Sequence, residues 1–586
     1  WEVCNRVGGI YTVLRTKAAE MVSDWGDRYV LVGPLDPRSA QVEFEEAEAP
    51  EAIQARVDAM RAQGIGCAVG RWLVRGRPWA VLIDLRTLRD QIPVLRQAFI
   101  DGHDLYADGS DSLVGDVLAF GEGVRAFLAD PEDDATQTPV VAHFHEWMAA
   151  TALPRLIAQG WQGRSIFTTH ATLLGRYLAG DDSRGDSPAL PEDPQAQAQA
   201  YGIGFQHGME CLAAQSATVF STVSSITGRE CEALLGRRPD ALLPNGINIQ
   251  RFEVIHEFQG LHQQNKQRLH EFSRGYFFPS YEFDLDQTLY MVNSGRFEYR
   301  NKGMDLSLDA LARLNERLKR TCSTRTVVFF LITRRPVRSM SVGSLQYRSM
   351  YQELQSIAKE VGAEVERGMT GELAAGRIPD LNSLVTEPTR LRMKRAIHAW
   401  KRDWLPPIVT HDLVDDQDDP VLEKLRELNL INLEEDRVKV VYHPQFVDST
   451  NPLLGMEYED LIRGCHLGVF PSFYEPWGYT PLEFLAMGVP AVTSNLAGFG
   501  TFATHLKNNI EKHGLYIVDR DSQDYAQSVD QLADQLFQFT GLSRRERVAQ
   551  RNRAESLAQS FDWKNLITHY RSAHELALRE LEPEVG

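Results

Sequence analysis

Two carboxylates separated by seven residues, Glu475 and Glu483, stand in the most informative stretch of the chain, YEPWGYTPLEFLAMGVPAVTSNLAGFG (474–500). The apolar run LGVFPS precedes them and a helical apolar pattern follows, which predicts a strand end, a tight loop and a helix. Thr480 suits the helix N-cap, Pro481 suits the first helical position, and Glu483 falls three residues after the cap. Such a helix start offers free backbone N–H groups to a phosphate.

Helix capping by itself accounts for Glu483, as the carboxylate of a capping box. It does not account for Glu475, which precedes the helix on the loop that any ligand would meet. The whole string resembles the signature of the animal and fungal glycogen synthases (glycosyltransferase family 3), which are retaining enzymes that use nucleotide sugars. The resemblance covers nearly the whole chain and indicates a bacterial-looking or otherwise tail-less member of that family.

The composition limits the classes of partner. The chain has 586 residues, which exceeds one hydrophobic core, and its 43% hydrophobic and 24% charged residues are ordinary for a globular protein. A net charge of −18 disfavours nucleic acid or an anionic membrane as the main partner, because both need a basic surface. A neutral polysaccharide is compatible with that charge.

The cysteines and the apolar runs indicate a soluble protein of a reducing compartment. The six cysteines are scattered, without a C-x-x-C pair or zinc spacing, so we expect reduced thiols and a cytoplasmic location. No apolar run is long enough to cross a bilayer. No signal peptide is visible in a chain that opens at Trp1 without a methionine.

Short apolar runs alternate with helical stretches. The runs of the first part are YVLVGP, WAVLIDL, VVAHFHEW, SIFTTHA, ATVFSTVS and ALLPNG, and those of the second part are LYMVNSGRF, TVVFFLI, KVVYHP, LGVFPS, PAVTS and LYIVD. Strands joined by helices predict parallel sheets with helices on both faces, so the fold class is α/β with two doubly wound, Rossmann-like domains. Ligands in such folds bind beyond the carboxyl ends of the strands.

The two series of strands meet near PNGINIQRF (244–252), where Pro, Asn and Gly interrupt regular structure. We therefore predict an N-terminal domain over 1–252 and a C-terminal domain over 253–560. A helical insertion occupies about 336–437 in the second domain, with no clear strand before VKVVYH. The resemblance implies a GT-B fold, with the acceptor on the first domain, the nucleotide sugar on the second, and a last helix (561–586) that completes the first.

The opening string, WEVCNRVGGIYTVLRTKA, predicts a strand, a glycine loop and a helix. Gly8 and Gly9 would let the backbone approach a ligand, and the helix start behind them favours anions, although a simple turn also explains two adjacent glycines. The string resembles the family's donor loop, N-K-V-G-G-I-Y. Arg6 stands where the family usually has lysine, which keeps the charge and changes its geometry, and the resemblance implies that it contacts a phosphate.

Arg296 and Lys302 follow a strand within LYMVNSGRFEYRNKGMD, where Asn301-Lys302-Gly303 predicts a turn that holds the ammonium. Two cations beyond a strand suit a diphosphate, but two solvated surface cations are the default for an isolated pair. The string resembles the family's G-R-Y-E-x-x-N-K-G, in which these side chains neutralise the pyrophosphate of UDP-glucose. If they take that charge, no D-x-D metal motif is needed, so we predict a reaction without metal or cofactor.

His170 and Arg176 lie in IFTTHATLLGRYL, at and after the end of a strand. A lone histidine there is usually a hydrogen-bonded core residue. The resemblance places His170 beside the sugar C6 hydroxyl and the reacting carbon, and Arg176 near the phosphates. HFHEW (143–147) is interpreted as a cleft-lining strand, because zinc would need two further ligands that are not apparent. Asn245 in PNGIN is a turn residue or, from the family match, a polar group in the cleft.

The resemblance also supplies the groups that hold the nucleotide. Phe446 in HPQF and Tyr458 in GMEYED match family positions that pack around uracil, with core packing the alternative, which is stronger for Phe446. Stacking on an aromatic ring secures affinity more than it selects the base, so UDP and ADP donors are not distinguished. Glu483 would hold the ribose hydroxyls. The other donor contacts implied at this helix start are Gly478, Tyr479 and Thr480.

These residues favour electrostatic catalysis. No Ser-His-Asp or Cys-His arrangement is evident. Cations and helix-end amides that stabilise the departing diphosphate should contribute most to an oxocarbenium-like transition state. The resemblance implies retention of the α configuration and a catalytic set of Glu475, His170, Arg296 and Lys302. The sequence leaves open whether Glu475 acts as nucleophile, binds the sugar hydroxyls, or does both.

A cluster of arginines lies in GLSRRERVAQRNRAE (541–555), where Arg544, Arg547 and Arg551 share a helical face. The ordinary explanation is a solvated helix with salt bridges, and the other is a phosphate site, because guanidinium forks match phosphate oxygens. The string resembles part of the family's glucose 6-phosphate switch. Ser543 stands where the family's cluster usually carries a further arginine.

Gln259, His262 and Lys266 fall on one helical stripe of HEFQGLHQQNK, and they match the same switch together with His466. The resemblance therefore implies an activator site for glucose 6-phosphate. No extended phosphorylatable tail follows, so inhibition by phosphorylation is not expected. The helical insertion matches the family's tetramer interface, which implies a homotetramer.

The sequence thus predicts a two-domain glycosyltransferase that extends α-1,4-glucan (glycogen) from UDP-glucose. One alternative is a related GT-B enzyme with a small-sugar acceptor, against which the helical insertion and the arginine helix argue. The other is a catalytically silent glycan-binding homologue, against which Glu475, Arg296, Lys302 and His170 argue.

Overall fold

The computed structural model describes residues 1–106, 111–129, 139–184, 190–249, 258–380 and 383–579. The predicted domain boundary at 252–253 and the end of the predicted last helix, 580–586, lie outside these residues.

Apolar and β-branched runs form the strands. In chain order they are β1 (Val30–Pro34), β2 (Phe44–Glu46), β3 (Cys67–Trp72), β4 (Trp79–Ile83), β5 (Val141–His145), β6 (Arg164–Thr169), β7 (Val219–Thr222), β8 (Ala241–Leu242), β9 (Thr288–Gly295), β10 (Thr326–Thr333), β11 (Val337–Met340), β12 (His411–Leu413), β13 (Val438–His443), β14 (Leu467–Val469), β15 (Ala491–Ser494) and β16 (Leu515–Val518).

Helices connect most of these strands. They are α1 (Gly9–Trp25), α2 (Pro37–Glu43), α3 (Glu51–Ala62), α4 (Ile92–His103), α5 (Ser112–Leu128), α6 (Trp147–Ala150), α7 (Leu153–Ala158), α8 (Leu173–Gly180), α9 (Pro194–Ala200), α10 (Gly204–Ser216), α11 (Ser225–Leu235), α12 (Phe258–Phe277), α13 (Met304–Arg320), α14 (Val342–Ala374), α15 (Glu387–Trp400), α16 (Pro420–Glu427), α17 (Tyr458–Gly464), α18 (Tyr479–Ala486), α19 (Gly498–Leu506), α20 (Tyr525–Gly541), α21 (Arg544–Ala558) and α22 (Trp563–Arg579).

Among the described residues, the strands form two four-stranded sheets, one six-stranded sheet and one two-stranded pair. Their orders are β1-β4-β3-β2, β5-β6-β7-β8, β13-β10-β9-β14-β15-β16 and β11-β12. The second and third sheets are parallel throughout, and in β10 every residue is buried, as expected of a strand covered by helices on both faces. The predicted α/β class is confirmed, and every predicted apolar run contains a strand.

Three antiparallel features were not predicted. β3 pairs with both β2 and β4 in antiparallel register, and β11 pairs with β12 inside the predicted helical insertion. The prediction of no strand in that insertion before VKVVYH is therefore wrong, because two short half-exposed strands carry too little apolar pattern to stand out. The predicted opening strand is also wrong, since residues 1–8 are irregular.

The last helix lies against the first elements of the chain. Trp563 of α22 donates its indole N–H to Thr16 of α1 at 2.7 Å, and Arg571 makes two 2.7 Å hydrogen bonds with the Asp24 carboxylate. A β-bridge joins Ile247 to Asp562 just before this helix. The division into two domains itself stays a prediction.

No helix in the described part of the chain is both long and apolar enough to traverse a lipid bilayer.

Candidate active site

The six-stranded sheet reverses its strand order between β9 and β14. β10 and β13 lie on one side of this point and β15 and β16 on the other. Such a switch point, at the carboxyl edge of the sheet, is where ligands bind in doubly wound folds. The loop after β9 carries Lys302, and the loop after β14 carries Glu475.

Backbone contacts hold these two loops together. The carbonyl of Asn301 accepts hydrogen bonds from the N–H groups of Phe473 at 2.9 Å and Tyr474 at 3.4 Å. Gly303 has φ = +66°, and a Cβ added there would lie 2.1 Å from the carbonyl oxygen of Pro471, so any side chain would force the loops apart. The predicted turn at 301–303 is thus confirmed, and its glycine allows the close approach.

Lys302 and Glu475 form an ion pair across this contact. Their side chains are about one-fifth exposed, so the charges are only partly screened by water. A small pocket at the carboxyl ends of β9, β14 and β15 includes both of them. Its lining comprises Asn293, Ser294, Lys302, Phe470, Ser472, Glu475, Gly478, Thr480, Pro481 and Thr493.

The helix after Glu475 begins earlier than the capping pattern predicts. Gly478, with φ = +104°, precedes α18 as its N-cap and makes no side-chain cap, so Thr480 is a helical residue and not the cap. The capping box predicted for Glu483 is therefore wrong as well. The reason is that glycine accepts the left-handed conformation that starts this helix, which polar capping rules do not describe. The start of α18 still faces the pocket through Gly478 and Thr480.

Arg296 lies apart from this pocket. Its guanidinium pairs with Glu298 at 3.0 Å, and its side chain is 75% exposed. The structure therefore unites Lys302 with Glu475 but does not bring Arg296 into contact with them.

The two predicted base-binding aromatics differ in their surroundings. Tyr458, the first residue of α17, is half-buried and hydrogen-bonds Ser294 of the pocket at 2.6 Å. Burial raises the pKa of its hydroxyl. Phe446 is 69% exposed, with the guanidinium of Arg334 5.8 Å from its ring centroid. The alternative of core packing for Phe446 is therefore excluded.

The glycine loop at the start of α1 already has a carboxylate bound to its N–H groups. Glu2 is buried and accepts hydrogen bonds from the backbone of Gly8 at 2.7 Å and Tyr11 at 2.9 Å. Anions do favour this helix start, as predicted, but the anion is a residue of the chain itself. Arg6, Gly8 and Gly9 are exposed.

His170 is buried directly after β6. Its backbone N–H donates to Glu146 at 2.8 Å, and its Nε2 lies 3.0 Å from Nδ1 of His145. Burial, with the nearby charges of Lys17 and Arg176, lowers the pKa of His170 to about 3, so its imidazole is neutral.

Arg176 of α8 connects this histidine electrostatically to the pocket. Burial opposes its charge, but Glu146, Tyr474 and Glu475 together raise its pKa. Tyr474, next to Glu475, also donates its hydroxyl to Glu230 of α11 at 3.1 Å. Helices α8 and α11, which follow β6 and β7, thus carry residues that lie near the loop of Glu475.

Two further predicted residues have buried polar atoms without a hydrogen-bond partner among the described residues. They are the amide oxygen of Asn245 and the hydroxyl of Tyr479. Burial raises the pKa of the Tyr479 hydroxyl, with Tyr570 and Glu483 nearby. Unsatisfied buried polar atoms are uncommon in folded proteins and are often explained by a ligand or a water molecule.

The residues of the predicted control site also meet, away from the pocket. Arg551 of α21 is 5% exposed, lies 2.9 Å from Nδ1 of His262 and donates to the carbonyl of Cys465 at 3.2 Å. The ring of His466 is perpendicular to that of His262, with centroids 5.1 Å apart. Gln259 donates to Asn552 of α21 at 3.2 Å.

The charges of this cluster perturb one another. Burial and the charge of Arg551 lower the pKa of His262 to about 2, and burial also lowers that of His466. Burial is also the main cause that lowers the pKa values of Lys266 and Arg547. Repulsion from Arg325 and Arg544 lowers both further. Such crowding of cations is relieved by an anion.

Ser543 has a structural role. It is the N-cap of α21 and forms a capping box with Glu546, which an arginine there would remove.

Sequence reasoning missed several groups at the candidate active site. Ser294, Ser472 and Thr493 line the pocket, and Lys17 contacts His145 from the middle of α1. The sequence could have identified the serines and the threonine, because each lies near the carboxyl end of a predicted strand. Nothing in the local sequence around Lys17 indicates its contact, because His145 is 128 residues away.

Within the described residues, no group of three or more His, Cys, Asp or Glu side chains is arranged to hold a metal ion. Metal independence stays a prediction.

Comparisons with known proteins agree with the motifs. A family model described as glycogen synthase matches residues 1–585. The chain is similar to the glycogen [starch] synthase of Neurospora crassa, with 43% identity over 588 residues that cover 99% of this chain and 83% of the relative. It is also similar to glycogen [starch] synthase isoform 2 of Saccharomyces cerevisiae, with 41% identity over 609 residues that cover 100% of this chain and 86% of the relative.

Among solved structures, the chain resembles the catalytic domain of starch synthase IV from Arabidopsis thaliana bound to ADP and acarbose. The TM-score is 0.48 and the identity 12%, over 98% of this chain and 97% of that one.

Proposed function

The chain belongs to the glycogen synthase family, and we propose that it transfers glucose from UDP-glucose to the non-reducing end of glycogen, forming α-1,4 links with retention. The observation that carries the proposal is the Lys302–Glu475 ion pair in a pocket at the strand-order switch point. A cation, a carboxylate and a helix start there face one small volume, which suits a sugar joined to a diphosphate.

Each group has a distinct task in this reaction. The Lys302 ammonium and the N–H groups at the start of α18 stabilise the negative charge that grows on the departing diphosphate. The Glu475 carboxylate holds the sugar hydroxyls or the developing positive charge of the ring. Tyr458 and Phe446 bind the base, and Arg176, whose charge interacts with that of Glu475, adds positive potential.

Incubation with labelled UDP-glucose and glycogen tests this function. Label in the polymer, released by an α-1,4-specific amylase, is the expected result. Label in a small saccharide would favour the small-acceptor alternative, and glycogen binding without UDP release would favour the silent homologue. ADP-glucose, run in parallel, measures the donor preference that stacking on Phe446 does not determine.

We propose further that the reaction needs no metal or cofactor and that the protein works in the cytoplasm. Lys302 and the α18 start take the charge that a divalent cation neutralises in other transferases. The scattered cysteines, which are free within the described residues, suit a reducing compartment.

Activation by glucose 6-phosphate is the proposed role of the second cluster. Lys266, Arg547 and Arg551 are crowded cations, and the Nε of buried Arg551 has no hydrogen-bond partner among the described residues. A phosphate monoester supplies the acceptors and the negative charge that this cluster needs.

Replacing Arg547 by alanine should abolish stimulation by glucose 6-phosphate while leaving the basal rate. Arg551→Lys, which keeps a charge but loses the planar fork, should weaken the stimulation at least tenfold in activator concentration. Arg553→Ala is the matched control, because Arg553 lies on the exposed face of the same helix. Initial rates against activator concentration measure the effect. Unchanged stimulation in Arg547→Ala would contradict the assignment of an activator site to this cluster.

Self-association into a homotetramer is proposed from the insertion. α14 and α15 expose large apolar side chains, and no residue of α15 is buried. The exposed residues include Leu373 of α14, Leu391 and Ile397 of α15, and Trp404, which follows α15. Exposed apolar patches of this kind are unusual on a monomer. Sedimentation equilibrium should therefore give the mass of a tetramer, and a monomeric mass would contradict the proposal.

A further inference from the structure

A series of buried polar side chains leads from the middle of α1 to His170, a residue of the predicted catalytic set. Lys17 is 1% exposed, and its ammonium lies 3.4 Å from Nε2 of His145. The other ring nitrogen of His145, Nδ1, lies 3.0 Å from Nε2 of His170. The two imidazoles are 5.3 Å apart between centroids and inclined by 31°.

The Lys17 ammonium has no carboxylate partner among the described residues. It lies 4.0 Å from the ring centroid of Tyr570 in α22, a cation–π distance. A buried ammonium is costly, and burial accordingly lowers the pKa of Lys17 to about 7, so the side chain is charged below that pH. His145 is the hydrogen-bond partner that the structure offers it.

The geometry gives this series a direction. In its charged form Lys17 donates and cannot accept, so Nε2 of His145 then carries the lone pair. A neutral imidazole has one N–H, which then resides on Nδ1 of His145 and donates to Nε2 of His170. His170 in turn carries its proton on Nδ1. That atom makes no hydrogen bond to any described residue.

We infer that Lys17 is a positioning residue that fixes the tautomers of His145 and His170, so that His170 offers Nδ1–H as a donor to the bound sugar. The inference rests on the proposed function for the identity of the sugar. The burial that keeps both rings neutral supports it, because a charged ring would donate from both nitrogens and lose this direction.

His143 is independent of this series. Its ring stacks on His145 at 4.2 Å, but its Nε2 contacts Thr168 at 2.6 Å, and Thr168 in turn contacts Ser221 at 2.7 Å. Its polar contacts therefore leave the direction of the Lys17 series unchanged.

The first test is a double-mutant cycle. Lys17→Met keeps the length of the side chain and removes the donor, and it should lower kcat about tenfold to a hundredfold, as the loss of an orienting partner does for the imidazoles of metal sites. In a His170→Ala background the same change should cost nothing further. Lys17→Gln, which keeps an N–H donor, should retain most of the activity. Losses that multiply in the double variant would overturn the inference.

Lys439, elsewhere in the protein, provides a matched control. Lys439 is also 1% exposed and lies 4.3 Å from a tyrosine ring centroid, that of Tyr281, but it donates to the carbonyls of Leu433 and Glu434, away from the pocket. Lys439→Met should leave kcat within twofold of the wild type. An equal loss in Lys17→Met and Lys439→Met would mean that both act through stability alone, and the inference would fail.

Nitrogen-15 NMR of histidine-labelled protein tests the tautomer without any activity. His170→Ala assigns the His170 signals by their disappearance. At pH 6, below the lowered pKa of Lys17, the wild type should show the Nδ1–H tautomer of His170, and Lys17→Met should convert part of it to Nε2–H. A wild type with Nε2–H would overturn the inference, even if Lys17→Met does not fold. Absence of glucosyl transfer by the wild type would instead refute the proposed function and leave this result standing.

Discussion

Glu475→Gln is expected to lower kcat for glucosyl transfer by about a hundredfold to a thousandfold in a protein that stays folded. The change keeps the shape of the side chain and removes its charge from the pocket. It leaves the Lys302 ammonium without its carboxylate and the sugar without a charged acceptor. Initial rates of label transfer to glycogen at saturating UDP-glucose measure the effect.

Asp309→Asn is the matched control for this change. Asp309 pairs with Lys424 at 3.0 Å and is 18% exposed, against 21% for Glu475, but it lies in α13 away from the pocket. Its loss should change kcat less than twofold. Near-normal turnover in Glu475→Gln would remove Glu475 from the catalytic set.

Azide distinguishes the two roles left open for Glu475. In Glu475→Ala, azide fits the space of the carboxylate and attacks the anomeric carbon if that carbon is the target of Glu475. Formation of β-glucosyl azide would identify a nucleophile. A residual rate that azide does not change would assign sugar positioning, with attack by the acceptor from the same face.

Lys302→Met is expected to lower kcat by a hundredfold or more, about as much as Glu475→Gln does. The reason is that the Lys302 ammonium stabilises the charge that develops on the leaving diphosphate in the transition state. The KM for UDP-glucose should rise less than kcat falls. Lys302→Arg should not restore the rate, since Gly303 and Pro471 confine the turn that aims this side chain.

Lys424→Met provides the control for Lys302. Lys424 has similar exposure, 23% against 19%, and a carboxylate partner. Thermal unfolding of both variants should be similar, because the two ion pairs are buried to a similar extent and each variant loses the same kind of contact. Wild-type turnover in Lys302→Met would contradict the assignment of this residue.

The parallel sheets could be predicted because their strands are covered on both faces. β10 and β13 are apolar at nearly every position, and such runs are visible in the sequence. β11 and β12 are short and half-exposed, so the sequence shows no clear apolar pattern for them. Local composition identifies a strand when burial is continuous and fails when burial alternates over few residues.

The site was predictable in its residues and less so in its geometry. Lys302 and Glu475 were identified from motifs, but their ion pair depends on the close approach of Gly303 to Pro471, which joins loops about 170 residues apart. The prediction of Thr480 as the N-cap is wrong because Gly478, in a left-handed conformation, is the N-cap and starts the helix two residues earlier. The occupation of the glycine loop by Glu2 and the contact of Lys17 with His145 are products of tertiary packing.

We propose that the Lys302 ammonium and the N–H groups at the start of α18 allow a diphosphate to leave glucose without a metal ion. Transfer of label from UDP-glucose to glycogen by chelator-treated protein, with Lys302→Met alongside, decides this. The chelated wild type should keep its full rate, and Lys302→Met should lose it. A chelated wild type that is inactive until magnesium or manganese is restored would show that the reaction needs a metal ion.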